Sequence, residues 1–228
     1  MEPAINPAKV KPIRLFRPDA TTTERTAIYD ALKEIRYHSG NALTRIQDPH
    51  VQVAAGHSRG RDILDRMEIV LRAGEVNSRN QYQLNARSII NQLQVNRDHE
   101  TGVEGKEDYY SLVILPHDIY ADDMNFIFGI GRKDFGTVIS TARLPNNIEN
   151  RYSLLKHLVA HELGHVFGTP SRERSGDVEE YLGRHCTNTC TMRSGNSLGD
   201  LERITKEAEA NGTYCDSCSQ DLYDYFRI

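Results

Sequence analysis

Apolar side chains recur along this chain with two spacings, one typical of helices and the other of strands. Apolar residues one turn apart predict helices at Thr22–Tyr37 and at Arg151–Val166, the latter ending near Gly168. Short apolar runs between turn residues predict four strands, at Val10–Phe16, Tyr110–Leu115, Phe126–Ile130 and Thr137–Thr141. The mixture of helices and strands predicts an α+β fold in which the strands are complete before the helix at Arg151–Val166 begins.

Weaker helical patterns lie between the first strand and the second. One precedes Gly74 and places Ile63, Met67, Val70 and Leu71 on a single face. Another runs from Asn80 to Val95. We find no internal repeat and no linker long enough to separate two domains, so the pattern predicts one domain overall.

The composition narrows the possible functions. The chain has 228 residues and a formal net charge of −4, with both signs interspersed, so it offers no basic patch for nucleic acid. No apolar run approaches the ~20 residues of a membrane helix, and Met1 to Asp19 hold no apolar signal segment. We therefore expect a cytoplasmic protein that binds neither nucleic acid nor a membrane.

All four cysteines lie in the last fifth of the chain, in two close pairs. Cys186 and Cys190 form C-x3-C, and Cys215 and Cys218 form C-x2-C. In a chain without an export signal, such pairs favour a metal site over disulfides. Four thiolates suit the closed tetrahedral site of structural zinc. Two disulfides, or unpaired buried thiols, are the alternatives that spacing leaves open.

The helix predicted at Arg151–Val166 contains His161-Glu162-Leu163-Gly164-His165, an HExxH motif. Histidines four residues apart share one helix face, so two imidazoles can bind one zinc ion. Glu162 then lies near the open coordination position, where it can act on water without being a ligand. The alternative is a helix whose histidines only pack or cap.

Residues downstream of the motif favour the metal-binding interpretation. Gly168 ends the helix, and His185 and Met192 follow on either side of the first cysteine pair. A third histidine after a helix-ending glycine, then a methionine, is the metzincin arrangement of zinc ligands and Met-turn. With Cys186 directly after His185 and the C-x2-C pair near the end, the chain resembles the archaemetzincins. Further segments of similar sequence begin at Asp118, Asn125 and Val138.

This resemblance implies a metzincin-like fold, with a twisted mixed sheet packed on helices and a small C-terminal subdomain stapled by zinc. The subdomains would be residues 1–168, with the sheet and active-site helix, and residues 169–228. It implies two zinc ions per chain: a catalytic ion on His161, His165 and His185, and a structural ion on the four cysteines. Met192 would form an apolar floor beneath the catalytic ion. Peptide substrate would lie along a sheet edge at Phe126, Phe128 and Gly129.

An insertion separates the chain from the family pattern, HExxHxxGxxH. Sixteen residues, Thr169 to Arg184, stand between Gly168 and His185 where the pattern has two. A carboxylate of the insertion (Glu173, Asp177, Glu179 or Glu180) could therefore replace His185 as third ligand, although the adjacent Cys186 and nearby Met192 favour His185. The insertion is highly charged with few apolar anchors, which predicts a mobile lid or, alternatively, an inert bulge.

The function these features favour is a zinc-dependent peptidase acting on peptide or protein substrates, with Glu162 as general base. The alternative is a catalytically silent zinc module, derived from a metzincin and retained for protein binding. An intact Glu162 argues against the silent module, whereas an insertion that could bury the cleft argues for it.

Overall fold

The structure, a computed structural model, describes residues 3–17, 20–43, 45–48, 68–75, 82–102, 107–122 and 124–228. The described residues belong to two compact units. The first unit comprises Lys11–Ala20 and Arg45–Arg143, and the second comprises Met1–Val10, Thr21–Thr44 and Leu144–Ile228. The predicted α+β class is confirmed.

In chain order, the strands and helices are β1 (Ile13–Phe16), α1 (Thr22–His38), β2 (Ile46–Gln47), β3 (Gln83–Asn85), α2 (Ala86–Thr101), β4 (Tyr110–Leu115), β5 (Asp118–Ala121), β6 (Met124–Ile127), β7 (Gly129–Arg132), β8 (Gly136–Ser140), α3 (Ile148–Val166), β9 (Val178–Glu179), β10 (His185–Cys186), α4 (Leu198–Asn211) and α5 (Asp216–Tyr225). Residues 68–75 are also helical.

The first unit is built on a five-stranded mixed sheet with the order β2-β1-β4-β8-β7. All its pairings are parallel except that of β7 with β8. Every residue of β4 is buried, which explains why this central strand is an almost continuous apolar run. Helix α2 packs Ile89, Ile90 and Leu93 into the core of this unit. A smaller sheet has the order β3-β5-β6.

The second unit is mainly helical and carries the HExxH motif on α3. Asn147 caps the start of α3 by accepting a hydrogen bond from the Asn150 amide, and Gly168, with φ of 71°, follows its end. Helix α1 packs along α3, and the capping box of α1 links the two helices. Its Glu24 accepts a hydrogen bond from the Thr21 amide and lies 2.7 Å from the guanidinium of Arg151.

Several boundaries differ from the sequence predictions. The helix expected from Asn80 begins only at Ala86, because Gln83–Asn85 form a strand that pairs in parallel with β5. The strand expected at Phe126–Ile130 is two strands, β6 and β7, which belong to different sheets. Ile63 and Met67 lie outside the described residues, whereas Val70 and Leu71 are helical. The division at residue 168 stays a prediction.

No helix among the described residues combines the length and apolarity needed to cross a bilayer.

Candidate metal centres

The second unit brings three predicted histidines together at the C-terminal half of α3. The Nε2 atom of His165 lies 3.2 Å from that of His161 and 3.3 Å from that of His185. His161 and His165 are on α3 one turn apart, and His185 is on β10. No carboxylate of the insertion belongs to this cluster, so among the described residues the three imidazoles are its only metal-binding groups.

Backbone carbonyls hold the rings of His161 and His185 in a fixed orientation. The carbonyl oxygen of Thr191 lies 2.7 Å from Nδ1 of His161. The carbonyls of Tyr181 and Gly183 lie 3.1 and 3.2 Å from Nδ1 of His185. Each Nδ1 therefore carries the proton, and each Nε2 presents a lone pair to the centre of the cluster.

The surroundings also keep these rings uncharged. Burial lowers the pKa of His165 to about 3, with the neighbouring His185 contributing. Burial likewise lowers the pKa of His161 and of His185. Neutral imidazoles are the form that binds a metal.

The spacing of the three nitrogens suits zinc. Nitrogen ligands about 2.0–2.1 Å from a tetrahedrally bound zinc ion lie about 3.3–3.4 Å from one another. The two measured separations are 3.2 and 3.3 Å. Three Nε2 atoms at this separation can bind a single ion. The donor set therefore fits zinc with one coordination position left open.

Glu162 lies between the two helix histidines in sequence and is buried, with a 6% exposed surface. Burial raises the pKa of its carboxyl to about 8. Glu162 directly follows His161 on α3, and a buried carboxyl with a raised pKa is a candidate for general acid–base chemistry. His157, one turn earlier, stacks on His161 with ring centroids 6.2 Å apart and does not belong to the histidine cluster.

The four cysteines form a second cluster in the same unit. Cys186 and Cys215 have their Sγ atoms 3.8 Å apart, and so do Cys190 and Cys218. A disulfide bond measures about 2.05 Å, so the cysteines are free thiols. Sulfur ligands about 2.3 Å from a tetrahedral zinc ion lie about 3.8 Å apart, which matches these separations. All four donors converge, so this centre fits a closed zinc site.

One short strand supplies a ligand to each cluster. Strand β10 consists only of His185 and Cys186, which belong to the histidine and cysteine clusters respectively. Its partner β9 pairs with it in antiparallel register, Glu179 opposite His185 and Val178 opposite Cys186. Successive residues of a strand point to opposite faces, and this alternation sends the two side chains to two centres.

Met192 packs against Gly164 of the histidine motif on α3. Its side chain is fully buried, and its carbonyl accepts a hydrogen bond of 2.8 Å from the amide of Cys186. A Cβ atom at Gly164 would stand 2.3 Å from the Met192 Sδ atom. Only glycine at position 164 therefore lets the methionine pack against α3.

The insertion is folded and held by polar contacts, and its role as a lid or an inert bulge stays a prediction. Its residues Val178–Glu179 form β9. Arg174 lies 3.1 Å from the Asp221 carboxylate and donates to the Cys218 thiol, and Arg184 donates to the carbonyl of Ser171. Charged side chains of the insertion supply these contacts.

The residues proposed to bind substrate lie in the first unit. Phe126 is in β6 and packs its ring against Phe128 and the guanidinium of Arg143. Gly129 begins β7, the edge strand of the five-stranded sheet. The Ser140 amide donates to the Phe128 carbonyl, so alternation leaves the backbone polar groups of Gly129 and Gly131 facing away from β8.

Sequence reasoning missed the backbone carbonyl that orients His161, the glycine against which Met192 packs and the arginine beside Cys218. Only the glycine had a signal in the sequence, because glycine in the interior of a helix is unfavourable and calls for a packing reason.

Comparison with solved structures shows which class of fold this is. The archaemetzincin of Methanopyrus kandleri superposes with a TM-score of 0.61 at 21% identity, covering 97% of this chain and 98% of that one. A zinc-dependent peptidase from Methanocorpusculum labreanum superposes with a TM-score of 0.58 at 18% identity, covering 92% and 99%. The fold is therefore archaemetzincin-like, which confirms the predicted metzincin-like class.

Sequence comparison identifies the family. The profile of peptidase family M54 matches residues 58–224, so the chain belongs to this family. The archaemetzincin of Nanoarchaeum equitans is 33% identical over 120 residues, covering 53% of this chain and 56% of that protein. The archaemetzincin of Archaeoglobus fulgidus is 35% identical over 98 residues, covering 41% and 51%. The chain thus spans about half the length of the curated relatives it matches.

Proposed function

We propose that the protein is a zinc-dependent peptidase that uses Glu162 as its general base. The observation that carries this proposal is the convergence of three Nε2 atoms at α3, the helix on which the buried Glu162 directly follows His161. Membership of peptidase family M54, and the likeness to a protein described as a zinc-dependent peptidase, support it.

The proposed site contains His161, His165 and His185 as ligands of the catalytic ion. When bound, zinc supplies a Lewis acid and makes water nucleophilic at neutral pH. The carbonyl of Thr191 holds His161 in the tautomer that leaves Nε2 free, and the carbonyls of Tyr181 and Gly183 do the same for His185. Met192 packs against Gly164 of α3, and its carbonyl accepts a hydrogen bond from the amide of Cys186 in β10.

Glu162 carries the proton transfer of the proposed reaction. Its carboxylate takes one proton from the attacking water as the oxygen bonds to the peptide carbonyl carbon. It then delivers that proton to the leaving nitrogen as the carbon–nitrogen bond breaks, and the products are a carboxylic acid and an amine. No covalent link between protein and substrate is needed.

Substrate binding is proposed at the edge strand β7. An extended peptide can pair with the outward-facing backbone groups of Gly129 and Gly131, in the strand-addition mode of peptide recognition. Phe126 and Phe128 would contact side chains of the same peptide. Since Phe126 is already covered by Arg143, Gly129 is the strongest of the three candidates.

The four cysteines are proposed to hold a second, structural zinc ion, giving two ions per chain. A substrate that is a peptide or protein, and a cytoplasmic location, stay predictions.

The deciding experiment compares the zinc-loaded protein with Glu162→Gln on a peptide library. Gln keeps the shape and hydrogen-bonding capacity of the side chain but cannot act as the base. We expect two zinc ions per chain in both proteins and a cleavage rate at least ~10²-fold lower in the variant. Glu149, an exposed residue in the first turn of α3, provides the matched control, and Glu149→Gln leaves the rate unchanged.

Equal rates in wild type and Glu162→Gln would contradict the role of Glu162. No cleavage by a fully zinc-loaded wild type would instead favour the silent zinc module.

A further inference from the structure

The insertion at Thr169–Arg184 carries an arginine that reaches the four-cysteine cluster. Nη1 of Arg174 lies 3.4 Å from Sγ of Cys218 and 3.1 Å from Oδ2 of Asp221. Nη2 of the same guanidinium lies 3.4 Å from the carbonyl oxygen of Asp177. One side chain thus joins helix α5 to the turn that leads into β9.

Helix α5 presents a matched acceptor site for this guanidinium. Cys218 and Asp221 are three residues apart on α5, so they occupy the same helix face. Oδ2 of Asp221 also accepts a hydrogen bond of 3.0 Å from the amide of Ser171, at the start of the insertion. The planar guanidinium can donate to several acceptors in fixed directions, which a lysine ammonium on a flexible stem cannot reproduce.

Charge also favours an arginine at this position. Four thiolates around one divalent cation have a net charge of −2, and the side chain of Arg174 is only 13% exposed. A cation that hydrogen-bonds a thiolate in a buried place offsets part of that charge. The thiolate centre and the arginine therefore stabilise each other.

The contacts continue from Arg174 to the third histidine. The carbonyl of Asp177, which Arg174 holds, also accepts a hydrogen bond of 3.0 Å from the amide of Thr187, the residue after β10. From the other end, Nε of Arg184 donates to the carbonyl of Ser171 at 2.9 Å, and its Nη2 donates to the carbonyl of Arg174. The residue before β9 (Asp177) and the residue before β10 (Arg184) are thereby both hydrogen-bonded to the segment Ser171–Arg174.

We propose that Arg174 is a positioning residue: it anchors the insertion on Cys218 and Asp221, and so holds His185 where the histidine cluster needs it. The insertion then acts as a clasp between the two metal centres, and its function is to fix the third ligand. This inference rests on the two proposed zinc sites and extends them to a residue that does not itself contact either substrate or the catalytic ion.

The test compares Arg174→Gln with Arg172→Gln. Arg172 lies in the same segment and is exposed, so its variant removes the same charge without removing the clasp. Two measurements are made on each protein. The first is hydrogen exchange at the Thr187 amide. The second is titration with cobalt(II), whose thiolate charge-transfer bands report the cysteine centre and whose weaker visible bands report the histidine centre.

We expect Arg174→Gln to exchange the Thr187 amide about 10- to 100-fold faster than wild type, because a charge-assisted hydrogen bond that holds its acceptor is lost. Cobalt affinity of the histidine centre should fall by about 10-fold or more. The charge-transfer bands should persist but shift in energy, because a donor to one thiolate is gone. Arg174→Lys should not restore wild-type exchange, and Arg172→Gln should match wild type throughout.

Two results would overturn the proposal: equal Thr187 exchange in Arg174→Gln and Arg172→Gln, or equal cobalt affinity of their histidine centres. If Arg174→Gln does not fold, Asp221→Asn keeps the arginine and all four cysteines, and it must show faster exchange than wild type. Failure of the proposed peptidase activity would leave these readouts intact, because neither of them depends on turnover.

Discussion

The histidine and cysteine clusters lie in one unit of the molecule, share one strand and differ in how their donors are held. Two of the three histidines stand on α3, one turn apart, so the helix fixes their separation before any metal binds. The cysteines come from β10, from the turn after it and from the start of α5. No single element fixes the spacing of the cysteines, and four donors leave no open coordination position on a tetrahedral ion.

This difference separates the tasks of the two centres. A closed thiolate site exchanges its metal slowly and contributes its binding free energy to folding. An open site on a preformed helix contributes less to the fold and keeps a position for chemistry. Under the proposed function, the shared β10 strand ties the third ligand of the catalytic ion to the cysteine centre.

Graded chelation provides the largest expected effect and the most direct test of the comparison. The histidine centre should lose its zinc first, with complete loss of peptidase activity and little loss of helical structure. The cysteine centre should release its zinc later, together with unfolding of the C-terminal segment, because structural zinc sites contribute about 10–16 kcal/mol of apparent binding free energy. Metal content, activity and circular dichroism are measured along one chelator series.

Removal of both ions in a single step, or loss of structure with the first ion, would contradict the division of tasks.

Cys218→Ser has the next largest effect because it removes one donor of the closed site. Zinc affinity of the cysteine centre should fall by more than the ~10–100-fold that follows loss of an outer partner. The histidine centre should weaken as well, because β10 loses its anchor on α5. Zinc stoichiometry and thermal unfolding measure both effects.

Ser217→Ala, one residue earlier on the same helix, serves as the control and should bind two zinc ions as wild type does. A Cys218→Ser protein with an undisturbed histidine centre would show that the centres are independent.

Gly164→Ala tests the opposite case, because it disturbs the packing of Met192 under α3 and with it the histidine centre. The new Cβ would stand 2.3 Å from Sδ of Met192, so the methionine or the helix must move. Overpacking of a core costs about 1–3 kcal/mol in the free energy of unfolding. Because Met192 lies under α3, we expect the histidine centre to lose zinc affinity more than the cysteine centre does. Thermal denaturation and zinc titration measure the two effects.

Gly176→Ala is the matched control, since a Cβ at Gly176 meets nothing within 4 Å. Equal destabilisation by the two substitutions would mean that the packing of Met192 under α3 is not a constraint.

The sequence predicted the side chains of both centres because their spacing is itself the signal. Histidines four apart imply one helix face, and paired cysteines imply a metal knuckle, independently of the surrounding fold. His185 was harder, since fourteen inserted residues displace it from the position that the family pattern predicts, and four acidic residues could have replaced it. The register of β9 and β10 places His185 in the cluster, and strand pairing over so short a distance leaves no pattern in the sequence.

Contacts made by the backbone were not predictable. The Thr191 carbonyl holds His161 through an atom that every residue possesses, so residue type carries no information about it. The edge strand was predicted as one run at Phe126–Ile130, but Phe128 lies between strands of two sheets. Apolar patterning marks buried positions and does not specify which neighbouring strand pairs with them. The contacts of Arg174 were not predictable for a similar reason, since Cys218 and Asp221 are far away in sequence.

The smallest expected effect concerns Tyr214, which directly precedes Cys215 and joins the cysteine centre to the zinc helix. Its hydroxyl donates a hydrogen bond of 2.7 Å to the carbonyl of Ala160, one residue before His161, and its side chain is buried. Tyr214→Phe keeps the ring and removes only this bond, so the free energy of unfolding should fall by about 0.5–1.5 kcal/mol. Both zinc ions should remain bound, because strand β10, and not Tyr214, links a residue of the histidine cluster to a residue of the cysteine cluster. Tyr223→Phe on α5 is the control for loss of a tyrosine hydroxyl. Chemical denaturation of both variants measures the difference, and a Tyr214→Phe protein that lost its catalytic zinc would show that the centres communicate through α3 as well.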